Sequence, residues 1–211
     1  MEGPGKTVTI GLPKQPKGRH FAAMPYIDVP AFVRTALSPV PTIGRRALLL
    51  QILTAARPGE VRLARWGQFD LGKGDWNRPR EAMKLRQPHT VTLSSAALAL
   101  LAEVKGDQAP GPEDLVFPAR SGKPLSDMTM TKVLRDAGLN YDAHGFRSSF
   151  RDWAAETMPH VPDPVAEAAL AHAVPDKVVR AYKRTNFIEM RRELLNAWGR
   201  FLTEPMDQRT N

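Results

Sequence analysis

Residues 144–156 read HGFRSSFRDWAAE, and residues 170–184 read LAHAVPDKVVRAYKR. The first run decides the fold class. Taken as a helix from about His144 to Glu156, it has two faces. Phe146, Phe150 and Trp153 recur at i, i+4 and i+7, an apolar stripe that a core must cover. His144, Arg147 and Arg151 recur at i, i+3 and i+7 on the other side and face a cleft or solvent. A solvated basic face is the plainer reading of that stripe, and an anion site the sharper one. Between the runs Pro159, Pro162 and Pro164 interrupt the chain, and an alanine-rich helix from Val165 ends at His172. Asp176 caps a further helix, Lys177 to about Arg184, which carries Tyr182. Lys177 to Arg192 holds six basic residues against one acidic residue, so the Tyr182 phenol sits in a field that draws anions. For a random tyrosine, a core ring with its hydroxyl at the surface is the usual explanation.

Working upstream, Ser126 is read as the cap of a helix to about Ala137, stopped by Gly138, and Ser94 as the cap of one to about Val104. Residues 66–93 lose the helical period. Asp75 to Asn77 reads as a short strand and His89 to Leu93 as a clearer one, with Lys84 at or near their hairpin. A hairpin lysine is normally solvated. Thr42 caps a helix whose run Ala47–Leu50 and Ile52–Leu53 is apolar nearly all round, so that helix belongs at the centre of the core. It runs out at Ala56-Arg57-Pro58-Gly59-Glu60, where Pro58 forces Arg57 into extended geometry. A surface arginine is the default reading there, and a pre-positioned anion clamp the sharper one. Glu60 reads as a first-turn helix acid or as a carboxylate that supports Arg57; Val61 and Leu63 read as anchors. Asp28 caps a short helix to about Leu37, with Pro30 in its first turn. Residues 1–25, basic and punctuated by four prolines, read as a leader or interdomain linker without a core of its own. A last helix, Phe187 to about Leu202, is followed by the polar tail 204–211. The expected architecture is therefore mainly α (α+β): a helical bundle with a small antiparallel sheet, one domain over 26–203.

The 211 residues carry a net charge of +8, 30 basic against 22 acidic, which favours a polyanionic partner, nucleic acid first. With no cysteine, disulfides, thiolate metal sites and cysteine nucleophiles are excluded. No apolar run is long enough to span a bilayer and no signal-peptide core is present, so a cytoplasmic protein with no membrane partner is expected. No glycine-rich nucleotide fingerprint or metal-ligand spacing occurs, so no cofactor and no metal are expected.

The ordered set Ala-Arg57-Pro-Gly-Glu60, Met-Lys84, His144-Gly-Phe-Arg147, Leu-Ala-His172 and Ala-Tyr182-Lys-Arg resembles the catalytic domain of tyrosine recombinases, the phage and prophage integrases above all. The likeness runs from about Pro25 to Trp198. It implies a site-specific DNA recombinase that cuts and rejoins DNA through a covalent 3′-phosphotyrosyl intermediate during integration or excision of a mobile element. By that resemblance Arg57 and Arg147 clamp the scissile phosphate, Lys84 protonates the leaving 5′ oxygen, His144 handles the tyrosine proton, His172 hydrogen-bonds the phosphate, Tyr182 is the nucleophile and Glu60 supports Arg57. It also implies double-stranded DNA as partner, a tetramer on paired sites with a monomer as the free form, and further N-terminal DNA-binding domains in a full-length protein. A chain of this length is then an isolated domain or a truncated remnant. The rival readings are a tyrosine-type topoisomerase and a non-catalytic DNA-binding remnant. Tyr141 is the rival nucleophile.

Overall fold

The computed structural model describes residues 22–39, 41–82, 87–172 and 187–205. At its centre lies helix α2, Ile43–Thr54. Thr42 stays extended and its hydroxyl accepts the Arg45 N–H at 3.3 Å, the expected cap. Ala47, Leu48, Leu50, Ile52 and Leu53 are all buried, so nearly the whole circumference is covered. The helices that cover it are α4 (Ser95–Lys105), α5 (Thr129–Asp136), α6 (Phe146–Thr157) and α8 (Ile188–Thr203). The α6 stripe of Phe146, Phe150 and Trp153 is buried as its spacing predicts. Phe150 and Trp153 meet Trp198 of α8, whose indole N–H donates to the Ile52 carbonyl at 2.8 Å.

The sheet is antiparallel in the order β1 (Phe69–Asp70), β2 (Asp75–Arg78), β3 (His89–Thr92). Trp76 pairs with Val91 and Arg78 with His89, and the β3 side packs on α8. The two-residue β1 was not readable from so short an alternation.

Three local expectations fail for physical reasons. Asp28 caps nothing, because its backbone is already helical: it ends a 3-10 turn, Tyr26–Asp28, that runs straight into α1, Val29–Phe32, and a π turn, Val33–Leu37. Ser126 accepts the first amide of α5, Thr129 N–H, with its backbone carbonyl at 3.1 Å, and its hydroxyl meets that of Thr129 at 3.0 Å, so its side chain caps no amide. Gly138, at φ 72°, ends α5 as expected. Leu63 is not an anchor. Helix α3 spans only Pro58–Arg62, and Leu63, just past its end, is 49% exposed.

One short segment shapes the site from outside. Ala22 to Pro25 cross the turn Ala143–Gly145 in front of α6. The Ala22 carbonyl accepts the Asp142 N–H at 3.0 Å, the Met24 carbonyl accepts the Ser149 hydroxyl, and Met24 is buried. A Cβ on Gly145 would lie 2.3 Å from the Ala22 carbonyl oxygen, so only glycine fits between His144 and Phe146. No helix among the described residues is long and apolar enough to cross a membrane.

Candidate anion-binding site

The site begins where α2 ends. Ala55 adopts a left-handed conformation, φ 49°, which turns the chain sharply at a residue that is not glycine. Its carbonyl thereby faces Arg147 and accepts the Nη1–H. Arg57 follows in extended geometry, ψ 145°, ahead of Pro58 at the first position of α3. Glu60 is a first-turn acid of α3 and a partner of Arg57 at once. One carboxylate oxygen accepts the Arg57 backbone N–H at 2.7 Å, and the other accepts its guanidinium at 3.0 Å.

Glu60 has a second partner that the sequence reading missed. Arg78, at the end of β2, forms a buried ion pair with Glu60 and lies over the Trp76 ring, 5.2 Å from its centre. Strand alternation puts residue 78 on the same side as Trp76, and that was the available signal. Burial pushes the Glu60 carboxyl up, but Arg78 and Arg57 more than offset it and hold it below its ordinary value.

On α6 the basic stripe is not solvated. Arg147 is 4% exposed, and both of its terminal guanidinium nitrogens are hydrogen-bonded. It donates to the Ala55 and Leu170 carbonyls, the latter at 2.7 Å, and its Nη2 meets His172 Nε2 at 2.9 Å. Burial, with Arg57 nearby, lowers its pKa to about 10, so it stays charged at neutral pH. Arg151, one turn on, is directed elsewhere. It donates to Glu167 and Asp163, at 2.7 Å each. His144 lies before α6, and burial followed by the charges of Arg147 and Arg57 lowers its pKa below 6.5.

Helix α7, Asp163–Ala169, stops short of His172. Ala171 is left-handed at φ 50°, which folds the chain back so that the His172 N–H donates to the Glu167 carbonyl at 3.0 Å. The Ala171 carbonyl accepts from Arg57 at 3.4 Å. Arg57, Glu60, His144, Arg147 and His172 are thus brought together from four separate elements. Arg57, Glu60, Leu63, Arg78 and His144 line a cavity of about 370 Å³ beside them. Three guanidinium groups face two carboxylates, Glu60 and Glu167, so the site is net positive and suited to an anion. Among the described residues no His/Asp/Glu group could hold a metal ion. Lys84 and Tyr182, with the expected helix around Tyr182, lie outside the described residues.

Comparison with known proteins gives a consistent result. The model of the Phage integrase family matches residues 27–189. Prophage integrase IntA of Escherichia coli K12 is 33% identical over 199 residues, 92% of this chain and 47% of its own. The integrase of Enterobacteria phage P4 is 32% identical over 206 residues, 88% and 46%. The chain spans about half the length of these curated relatives. An integrase from mycobacterium phage Brujita superimposes with a TM-score of 0.62 at 17% identity, over 94% of this chain and 65% of that one. A lambda integrase dimer bound to a COC' core site does so at 0.53 and 19% identity, over 72% and 58%. At such identities the structural likeness speaks for the fold.

Proposed function

Because the chain belongs to the phage integrase family, we propose that it is the DNA breaking-and-rejoining domain of a site-specific recombinase. The observation that carries this reading is the grouping of Arg57, Arg147, His144 and His172 beside one cavity, which Arg57 and His144 line. Attack on a phosphodiester builds negative charge on the non-bridging oxygens, and fixed guanidinium groups stabilise it without a metal. In this mechanism the Tyr182 oxygen attacks phosphorus and gives its proton to His144, whose lowered pKa keeps the ring ready to accept it. The phosphorus–5′ oxygen bond breaks, and Lys84 protonates the departing oxygen. The 3′-phosphotyrosyl bond preserves the energy of the joint, so rejoining needs no nucleotide cofactor. Arg78 and Glu60 keep Arg57 in place.

The reading carries further parts with it: double-stranded DNA as substrate in the cytoplasm, a tetramer on paired sites, and the catalytic unit over 26–203 between a basic leader and a polar tail. The net charge of +8 supports the DNA partner. A nicked suicide duplex bearing the element's attachment site tests the proposal. Wild-type protein should become covalently joined to the DNA 3′ end, and Tyr182→Phe should abolish the adduct. Loss of the adduct in Tyr141→Phe instead would overturn the nucleophile assignment, and DNA binding without any adduct would leave the non-catalytic alternative. Lys84→Ala should recover on a substrate with a bridging sulfur at the 5′ position, which needs no acid to depart.

A further inference from the structure

We propose that Glu167 is a positioning residue of this site, fixing the His172 imidazole as its Nδ1–H tautomer so that the bare Nε2 faces Arg147 and the phosphate. The proposal rests on the recombinase reading for its phosphate, but the tautomer follows from the hydrogen bonds alone. Arg147 Nη2 stands 2.9 Å from His172 Nε2. A guanidinium only donates, so Nε2 must accept. His172 Nδ1 stands 2.7 Å from Glu167 Oε2. An ionised carboxylate only accepts, so Nδ1 must carry the hydrogen. Glu167 is ionised: burial pushes its carboxyl up, but the hydrogen bonds from Arg151 and His172 prevail and hold it down.

Glu167 is itself held in place. Arg151 Nε donates to its other oxygen at 2.7 Å, and Arg151 Nη2 is tied to Asp163 at 2.7 Å. Asp163, Arg151, Glu167, His172 and Arg147 thus form one line of alternating donors and acceptors across α6 and α7. Arg151, which helical spacing puts on the Arg147 face, serves as a brace and not as a third clamp. The line has a chemical consequence. His172 accepts from Arg147 Nη2. An entering phosphodiester oxygen takes over the Arg147 N–H, and His172 donates to the phosphate once a proton from solvent adds at Nε2. Glu167 then remains as the counter-charge on the far side of the ring.

Two measurements test this. In two-bond ¹H–¹⁵N spectra of histidine-labelled protein, recorded above the ordinary imidazole range and assigned with His172→Gln, wild-type His172 should show the Nδ1–H pattern. Glu167→Gln, whose amide oxygen still accepts, should keep it; Glu167→Ala should revert toward the Nε2–H form that free imidazole prefers. On the suicide duplex, Glu167→Ala should slow adduct formation at least about tenfold, the usual scale for an outer partner that orients a histidine, and Glu167→Gln should lose less. An Nε2–H pattern in wild type overturns the tautomer assignment, and an Nδ1–H pattern that persists in Glu167→Ala overturns Glu167 as the group that fixes it. An unchanged adduct rate in Glu167→Ala overturns the positioning role. Wild-type protein that shows the Nδ1–H pattern and forms no adduct upholds the tautomer and overturns the recombinase reading.

Discussion

Glu60 shows how one carboxylate can serve both folding and chemistry. It carries the Arg57 turn and neutralises buried Arg78. Glu60→Ala would leave Arg78 without its counter-charge and should destabilise by about 3–5 kcal/mol. Adding Arg78→Ala should recover part of that loss, and urea unfolding of the four proteins in the cycle measures the coupling. His89, paired with Arg78 across β2 and β3, is a second sensitive residue. Burial and then the charges of Arg191, Arg78 and Arg57 lower its pKa to about 3, against hydrogen bonding to the Ala169 backbone. The unfolded chain therefore binds a proton at His89 near pH 6.5, while the folded chain refuses it until about pH 3. Stability should fall as pH drops through that window, by at most about 1.4 kcal/mol per unit from this group. Urea midpoints should fall less steeply from pH 7 through 5 to 4 in His89→Asn than in wild type. The pairing of Glu60 with Arg78 and the role of His89 were not legible in the sequence, although the support that Glu60 gives Arg57 was. Each depends on a partner that only the sheet register brings near, whereas Arg57 was legible because Pro58 constrains it locally.

At the scale of elements, periodicity was a good guide and caps a mixed one. The α6 stripe and the all-round apolar α2 were readable because burial of an entire helix face repeats in sequence. Thr42 and Ser94 do cap their helices, at 3.3 Å each, whereas Asp28 and Ser126 do not. Capping needs a break in backbone geometry as well as a short polar side chain, and residue type alone cannot report that break. The basic stripe of α6 was legible as a stripe, but its division was not: Arg147 turns inward to two carbonyls and His172, and Arg151 to two acids. Gly145 joins two elements through contact with Ala22 and Ala23. Gly145→Ala should cost about 1–3 kcal/mol, as overpacking usually does. A thermal melt would register it, and the opposite result, an unchanged midpoint, would mean that the 22–25 segment yields freely.

For the whole molecule, the sequence showed the family set in order from Arg57 to Tyr182 but could not show convergence, because the contributing residues come from separate helices and turns. The structure brings five of the seven named positions together; Lys84 and Tyr182 lie outside the described residues. Duplex binding by a protein of charge +8 should weaken steeply with salt. Tyr182→Phe removes no charge, so its plot of log affinity against log salt should overlay that of wild type even as the adduct disappears. A divergent slope would mean that the phenol contributes to binding as well as to chemistry. The contact of Ala22 with Gly145 also matters for anyone exchanging modules between relatives. Residues 22–24 and the turn 143–145 form a matched cassette, and a splice made between Met24 and Tyr26 would pair one parent's strap with the other's histidine turn. The seam belongs upstream of Ala22, or both halves of the cassette must come from the same parent.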